Sequence, residues 1–309
     1  MVRVYKKIKW TSDLALKIVA HFVLIIGGLV MMYPFFFSLF CSLLTKSEYL
    51  KMAALLPLPP SFSFERLDNL LEFFRYKYIW SSIGITVARI LFYSVTNIFF
   101  SMIGGYIFTF IEFRGRKVVF FYLLMGMMIP GTATLLPTYI LMARWPFAGG
   151  NFIFDGGAGL IGSWVSLFIS GWFGGYNIFL VRQSLVDVGL SIGEAAEMDG
   201  AGKMHVIFGI YLPVIKPVIS VVLIGLCIGM WNDYLGPMTF MQFTDTPELI
   251  PIGYAVFDIM NDVSGVNSGV PDFPAVFGVC FVAMLPPILI FVFLQKFFIS
   301  GLTTGSVKG

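Results

Sequence analysis

The chain is short of formal charge. Only 12% of its 309 residues are Asp, Glu, Lys or Arg, where a soluble globular domain carries about 25%. Histidine and cysteine are nearly absent, with 2 and 3 copies. Cys41, Cys227 and Cys280 each sit inside an apolar run, no pair has metal-ligand spacing, and only His21 and His205 could assist. That excludes zinc and redox chemistry and leaves the thiols as small buried hydrophobes. The net charge of +3 is too small for a nucleic-acid-binding surface, and the composition also excludes disorder, collagen and a disulfide scaffold. What is plentiful is apolar: 58% hydrophobic residues with 34 Phe, 16 Met and 32 Gly, and a mean hydropathy of +0.88. These values describe an all-α, polytopic membrane protein.

A spanning helix needs about 20 mostly apolar residues. Six segments meet that length: 18–44, 79–111, 118–143, 156–181, 217–243 and 273–295. Together they form a single transmembrane domain over 18–297, with tails at 1–17 and 298–309. The first segment is too long for a signal-peptide core and no small-residue cleavage site follows it closely, so it is read as an uncleaved helix. Six crossings put both termini on one side. That side holds thirteen Lys and Arg, including Arg3, Lys6, Arg116, Arg182 and Lys203, while the other holds six. By the positive-inside rule both termini are cytoplasmic. The loop 244–272, without Lys or Arg but with Asp245, Glu248, Asp258, Asp262 and Asp272, is then external.

The cytoplasmic connection 182–216 carries the most information. Ser191 followed by Glu194 has the spacing of a capping box. Ala195, Ala196 and Met198 are good helix formers, and Asp199-Gly200 supplies a stop, since Gly accepts a positive φ. A second helical stretch from Lys203 to Tyr211 is expected to end at Pro213, with Pro217 opening the fifth span. The product is a short helix, a sharp turn and another helix, with a small alanine face that a partner groove can approach. Gly200-Ala201-Gly202-Lys203 lacks the earlier Gly and the following Ser or Thr of a phosphate-binding loop; Glu197 and Met204 stand there instead. Nucleotide binding by this chain is excluded.

The run Glu194-Ala195-Ala196-Glu197-Met198-Asp199-Gly200-Ala201, followed by Ile210-Tyr211-Leu212-Pro213, resembles the signature loop of permease subunits of ATP-binding-cassette importers. More of the chain resembles the carbohydrate-uptake branch, the maltose-type inner-membrane permeases. Phe113-Arg114-Gly115-Arg116-Lys117, Met128-Ile129-Pro130, Leu136-Pro137-Thr138-Tyr139, Trp231-Asn232-Asp233-Tyr234 and the tail from Gly301 carry that likeness. It departs from the branch at Ser81-Ser82, where Asn-Ser is usual, and at Val188-Gly189-Leu190, where a Pro is usual.

The resemblance implies an import permease of a bacterial or archaeal inner or plasma membrane, without chemistry of its own. It implies a second, related but different permease subunit forming a heterodimer with this one. Two ATP-binding-cassette ATPase subunits would bear ATP and Mg and receive the loop through Ser191, Glu194, Ala195, Ala196, Asp199, Gly200, Ala201, Leu212 and Pro213. An extracytoplasmic solute-binding protein would deliver an oligosaccharide or other sugar. No metal or cofactor is expected on this chain.

Two intramembrane charges need an explanation, because a charge at mid-bilayer costs roughly 2.5–3.5 kcal/mol on insertion scales. Asp233 lies roughly 24 Å along the fifth span from Pro217 at 1.5 Å per residue, so Trp231, Asn232, Asp233 and Tyr234 approach the external mouth. Aromatic, carboxamide and carboxylate groups are what a sugar uses. The same cluster can instead kink the helix and pack the two subunits, and Asp233 can pair with Arg89. Trp172 and Tyr176 share a face of span four, as a packing stripe or along the substrate path. Gly171/Gly175 and Gly225/Gly229 match the small-xxx-small pattern of close helix approach. Two other functions fit the composition: import of a non-sugar solute by the same machinery, and a secondary transporter using Asp233 and Arg89 as a relay.

Overall fold

A computed structural model describes residues 2–52, 57–60, 64–151, 156–169, 171, 174–241, 244–264 and 271–305, and among these there is no strand. The chain divides into two compact units, one of residues 1–75 with 259–283 and one of residues 76–258 with 284–309.

The first unit holds α1 (Val2–Ser42), α2 (Lys46–Leu50) and α3 (Asp68–Arg75). α1 begins at Val2, so the expected N-terminal tail is helical and continuous with the first span. Its last carbonyls have no intrahelical donors, and the following segment supplies them. Arg66 donates to Leu43 O at 2.9 Å, and Asn69 Nδ2 donates to Ser42 O at 2.8 Å and Leu44 O at 3.3 Å. Arg66 also grips Glu48 through both guanidinium nitrogens, at 2.7 and 2.9 Å, and Lys46 pairs with Asp272 at 3.0 Å. Thr45 and Glu48 form a complete capping box at the start of α2.

The second unit is built on α4 (Ile79–Phe110), followed by α5 (Arg116–Met128), α6 (Gly131–Ala143), α7 (Trp164–Ile169) and α8 (Gly175–Val188). Then come α9 (Ser191–Met198), α10 (Lys203–His205), α11 (Leu212–Val214), α12 (Lys216–Asn232) and α13 (Leu235–Met241). α14 (Ile252–Val263) and α15 (Phe273–Gly305) run from one unit into the other along the chain.

Three of the six expected spans are single helices long and apolar enough to cross a membrane: Leu14–Ser42, Ile79–Phe110 and Phe273–Gln295. The others are broken. α5 and α6 meet at 102°, because Pro130 has no N–H to continue the helix and drives Ile129 to an extended ψ of 120°. The segment 156–181 is not one helix: α7 and α8 are separated by a break containing Gly171 at φ +85°. The segment 217–243 divides at Asp233, whose ψ of 99° is extended. α14 lies in the stretch read from sequence as the external loop 244–272, and α15 runs past 297 to Gly305.

α4 packs most extensively on α8 and then on α12. Its closest approach to α8 is at glycine: a Cβ on Gly105 would lie 2.6 Å from Val181 Cγ1 and 3.1 Å from the Arg182 backbone nitrogen. Of the glycine pairs singled out by spacing, Gly175 meets Leu123 of α5, whereas Gly225 and Gly229 have open space before them.

Gly105→Leu is expected to prevent this packing and remove folded protein from the membrane fraction. Gly84→Ala, at a site with nothing within 4 Å, should leave the yield unchanged; fluorescence-detected size exclusion compares the two. A second expectation concerns acid. The hydrogen bond from Arg66, then that from the Thr45 backbone, holds the Glu48 carboxyl down at about 2 from its ordinary 4.5. A depressed carboxyl contributes stability that is full above its ordinary value and lost as pH falls toward the folded value. Amide-exchange protection of Lys46–Leu50, corrected for intrinsic rates, should therefore hold at pH 5 and disappear by about pH 2. Glu48→Gln should show the low protection already at neutral pH.

Candidate functional site

Two places bring together the residues singled out by sequence. The first is the loop 190–213. α8 stops at Gly189, whose φ is +84°, and α9 follows at once. The expected Ser191–Glu194 capping box is not formed. Leu190 is already helical (φ −83°, ψ −28°) and no side chain caps the helix. The Glu194 N–H that Ser191 would have capped donates to Leu190 O at 3.1 Å instead.

The far end behaves as expected. Gly200 has φ +91°, its N–H donates to Glu197 O at 3.0 Å, and the Ala201 N–H donates to Ala196 O at 2.9 Å. This pair of bonds is the Schellman stop, which only a residue free of a Cβ forms without strain. The second stretch is helical but not uniformly so. Between α10 and α11 lies a π-helical turn, Val206–Tyr211, that buries Val206, Ile207 and Tyr211. The chain then bends by 84° into α12.

Tyr211 locks the loop. It is fully buried, and its hydroxyl donates to Gly189 O at 3.0 Å. Its ring faces α9 where a Cβ on Gly193 would meet the Tyr211 oxygen at 2.6 Å. Glu197 is held by Lys203 at 2.5 Å and accepts from the Tyr106 hydroxyl of α4 at 3.5 Å. The hydrogen bond to Glu197 raises the pKa of Lys203 above its ordinary value. Ala196, Ala201 and Leu212 pack on the core beneath. Ser191, Glu194, Ala195, Met198, Asp199, Gly200 and Pro213 remain exposed. The loop thus presents a small, acidic, partly apolar face on a rigid base. The sequence marks Tyr211 only as the end of a helical stretch and a member of the Ile210–Pro213 motif, and does not mark its contact with Gly193.

The second place lies along α4. Ser82, Thr86, Arg89, Tyr93, Asn97 and Ser101 are all buried and recur every three or four residues, which is one helical face. Four of them hydrogen-bond to other segments. Arg89 Nη2 pairs with Asp233 Oδ2 at 2.7 Å, and Arg89 Nε donates to Leu167 O at 3.2 Å. Tyr93 donates to the same carbonyl at 2.9 Å. Asn97 donates to Gly171 O at 3.2 Å and accepts from Asn177 at 2.9 Å. Thr86 accepts from the Ile252 N–H at 2.8 Å. The periodicity of these polar residues in an otherwise apolar segment was a usable signal, although only Arg89 attracts notice as a charge.

The Trp231–Tyr234 cluster is split by the structure. Trp231 is buried at 7% exposure. Asn232 and Tyr234 are exposed, with Tyr234 stacked on Phe257 at 5.7 Å. The Asp233 side chain is 25% exposed while that of Arg89 is 4%. Tyr176, half exposed, lines a cavity of about 620 Å³ with Tyr122, Leu123, Gly126 and Met127. Trp172 lies outside the described residues.

Comparison with known proteins gives these features a context. The chain is similar to the arabinooligosaccharides transport system permease protein AraQ of Bacillus subtilis (strain 168), 29% identical over 285 residues covering 91% of this chain and 92% of that protein. It is similar to the lactose transport system permease protein LacG of Rhizobium radiobacter, 24% identical over 296 residues covering 94% and 96%. A chain in the crystal structure of a bacterial ABC transporter involved in the import of the acidic polysaccharide alginate has the same fold. It matches with a TM-score of 0.73 at 23% identity, over 93% of this chain and 98% of that one. Residues 97–304, which include Asn97, the broken spans, the 190–213 loop and Asp233, match the binding-protein-dependent transport system inner membrane components, and the chain belongs to that family.

Proposed function

We propose that this chain is one permease subunit of an ATP-driven, binding-protein-dependent importer for an oligosaccharide or other sugar. Both termini face the cytoplasm, and the 190–213 loop is the cytoplasmic element that two ATPase subunits engage. ATP and Mg belong to those subunits, a second related permease completes the pathway, and an extracytoplasmic binding protein delivers the solute. The observation that carries the reading is the exposed face of α9 on a rigid support: Glu194, Ala195 and Asp199 point outward while Gly193 and Tyr211 hold the helix from behind. A force applied to such a helix moves the packed core, where a solvated floppy loop would absorb it. The sugar assignment is supported by the arabinooligosaccharides and lactose for which AraQ and LacG are named and by exposed Asn232, Tyr234 and Tyr176. These are amide and aromatic groups suited to hydroxyls and C–H faces.

Glu194→Lys and Gly200→Leu are expected to lower ATP-driven uptake at least tenfold in proteoliposomes while the subunit still inserts and assembles with its permease partner. Uptake in vesicles containing this chain alone, indifferent to ATP, would sink the reading and favour a relay. A finer test addresses the lock. Gly193→Val should drive Tyr211 out of place and abolish co-purification of the ATPase subunits. Tyr211→Phe, which loses only the hydroxyl's bonds to Gly189 O and Leu190 O, should retain co-purification with uptake reduced a few-fold.

A further inference from the structure

The six apolar segments contain two residues that are Asp, Glu, Lys or Arg, namely Arg89 and Asp233, and these two pair with each other at 2.7 Å. The pair is lopsided. Arg89 is 3% exposed and its Nη1 has no hydrogen-bond partner among the described residues, whereas the Asp233 side chain is 25% exposed. Only Oδ2 of that carboxylate is engaged by Arg89. Asp233 Oδ1 accepts no hydrogen bond among the described residues, and Gly236 beside it carries no side chain to cover it. The accessible part of the pair is therefore its negative end, and the positive end is walled behind it.

We propose that Arg89 is a positioning residue that fixes the Asp233 carboxylate at the α12–α13 break, so that Asp233 selects uncharged glycans against acidic ones. The inference rests on the sugar-importer reading. Held by Arg89 through Oδ2, the carboxylate leaves Oδ1 as a charge-assisted acceptor for hydroxyl groups. A glycan carboxylate brought to the same point meets a like charge in a poorly screened setting, which is unfavourable. Hydroxyls are accepted and carboxylates repelled by one oxygen, and the buried guanidinium is out of reach of either.

The test uses the assembled importer in nanodiscs without its binding protein, so that the selectivity of the permease pair itself is read. Tritiated neutral arabinose and galactose di- to tetrasaccharides are compared with the aldonates of the same sugars, which differ by one carboxylate. The neutral form should bind at least tenfold more tightly in the wild type. Asp233→Asn, which leaves the Arg89 charge unbalanced, should bring that ratio near one or invert it. Adding Arg89→Gln to Asp233→Asn should leave the two forms equal, with no preference for the acid. Size exclusion confirms assembly in each case, and a purely structural role for the pair would change assembly or all affinities together. Equal binding of neutral and acidic forms by the wild type overturns the inference without any variant, and so does a ratio unmoved by Asp233→Asn. In both cases the sugar reading stands. Binding of no saccharide, with an amino acid or phosphate ester bound instead, overturns both.

Discussion

A backbone carbonyl or N–H inside a bilayer has no water to bond, so non-helical chain at that depth survives only where protein groups satisfy it. Three of the six apolar segments of this chain are interrupted, at Pro130, around Gly171 and at Asp233. The polar face of α4 is what makes the second and third interruptions tolerable. Arg89 and Tyr93 share the Leu167 carbonyl, Asn97 takes that of Gly171, and Arg89 reaches Asp233. One intact helix thus stabilises two broken ones. Without that face the breaks would expose orphan groups costing several kcal/mol each, and the irregular segments that shape the interior would not persist.

α4 also reaches the 190–213 loop. Tyr106 lies seventeen residues beyond Arg89, roughly 26 Å along the helix, and contacts both Glu197 and the Tyr211 ring. Between them, Gly104 and Gly105 let α8 approach closely. The same rigid element therefore touches the candidate point of force entry at one end and the Asp233 break further along. No flexible relay is needed between them, because a shift of the loop base displaces a body that includes both places.

Much of this organisation was legible in the sequence, for identifiable reasons. Long apolar runs report helices well, so α1, α4 and α15 were visible, as was the Gly200 stop, where a positive φ is a property of one residue type. The interruptions were harder to see because hydropathy averages over a break: the 156–181 run is apolar throughout, yet Gly171 and Gly174 turn the backbone inside it. The capping box failed at Ser191 and succeeded unnoticed at Thr45, although both have the same spacing to a Glu. The difference is the preceding backbone. Leu190 had already turned helical and used the Glu194 donor, while Thr45 follows the end of α1 in an extended conformation. The contact between Tyr211 and Gly193 was invisible because it spans a turn that no local pattern encodes.

The choice of arginine at position 89 follows from the geometry it must satisfy. Its fork directs Nε to a carbonyl at the end of α7 and Nη2 to a carboxylate at the start of α13, two acceptors that arrive from different segments. A lysine ammonium is a compact, strongly hydrated point charge on a flexible stem, and to hold both acceptors it would have to bring them to one point. The planar guanidinium keeps them apart in a fixed relation and is more weakly hydrated, so burying it is less costly. The break in α12–α13 and the break after α7 are thereby held at a set separation by one side chain. The position of the Asp233 carboxylate and the irregular backbone of two segments depend on the same group.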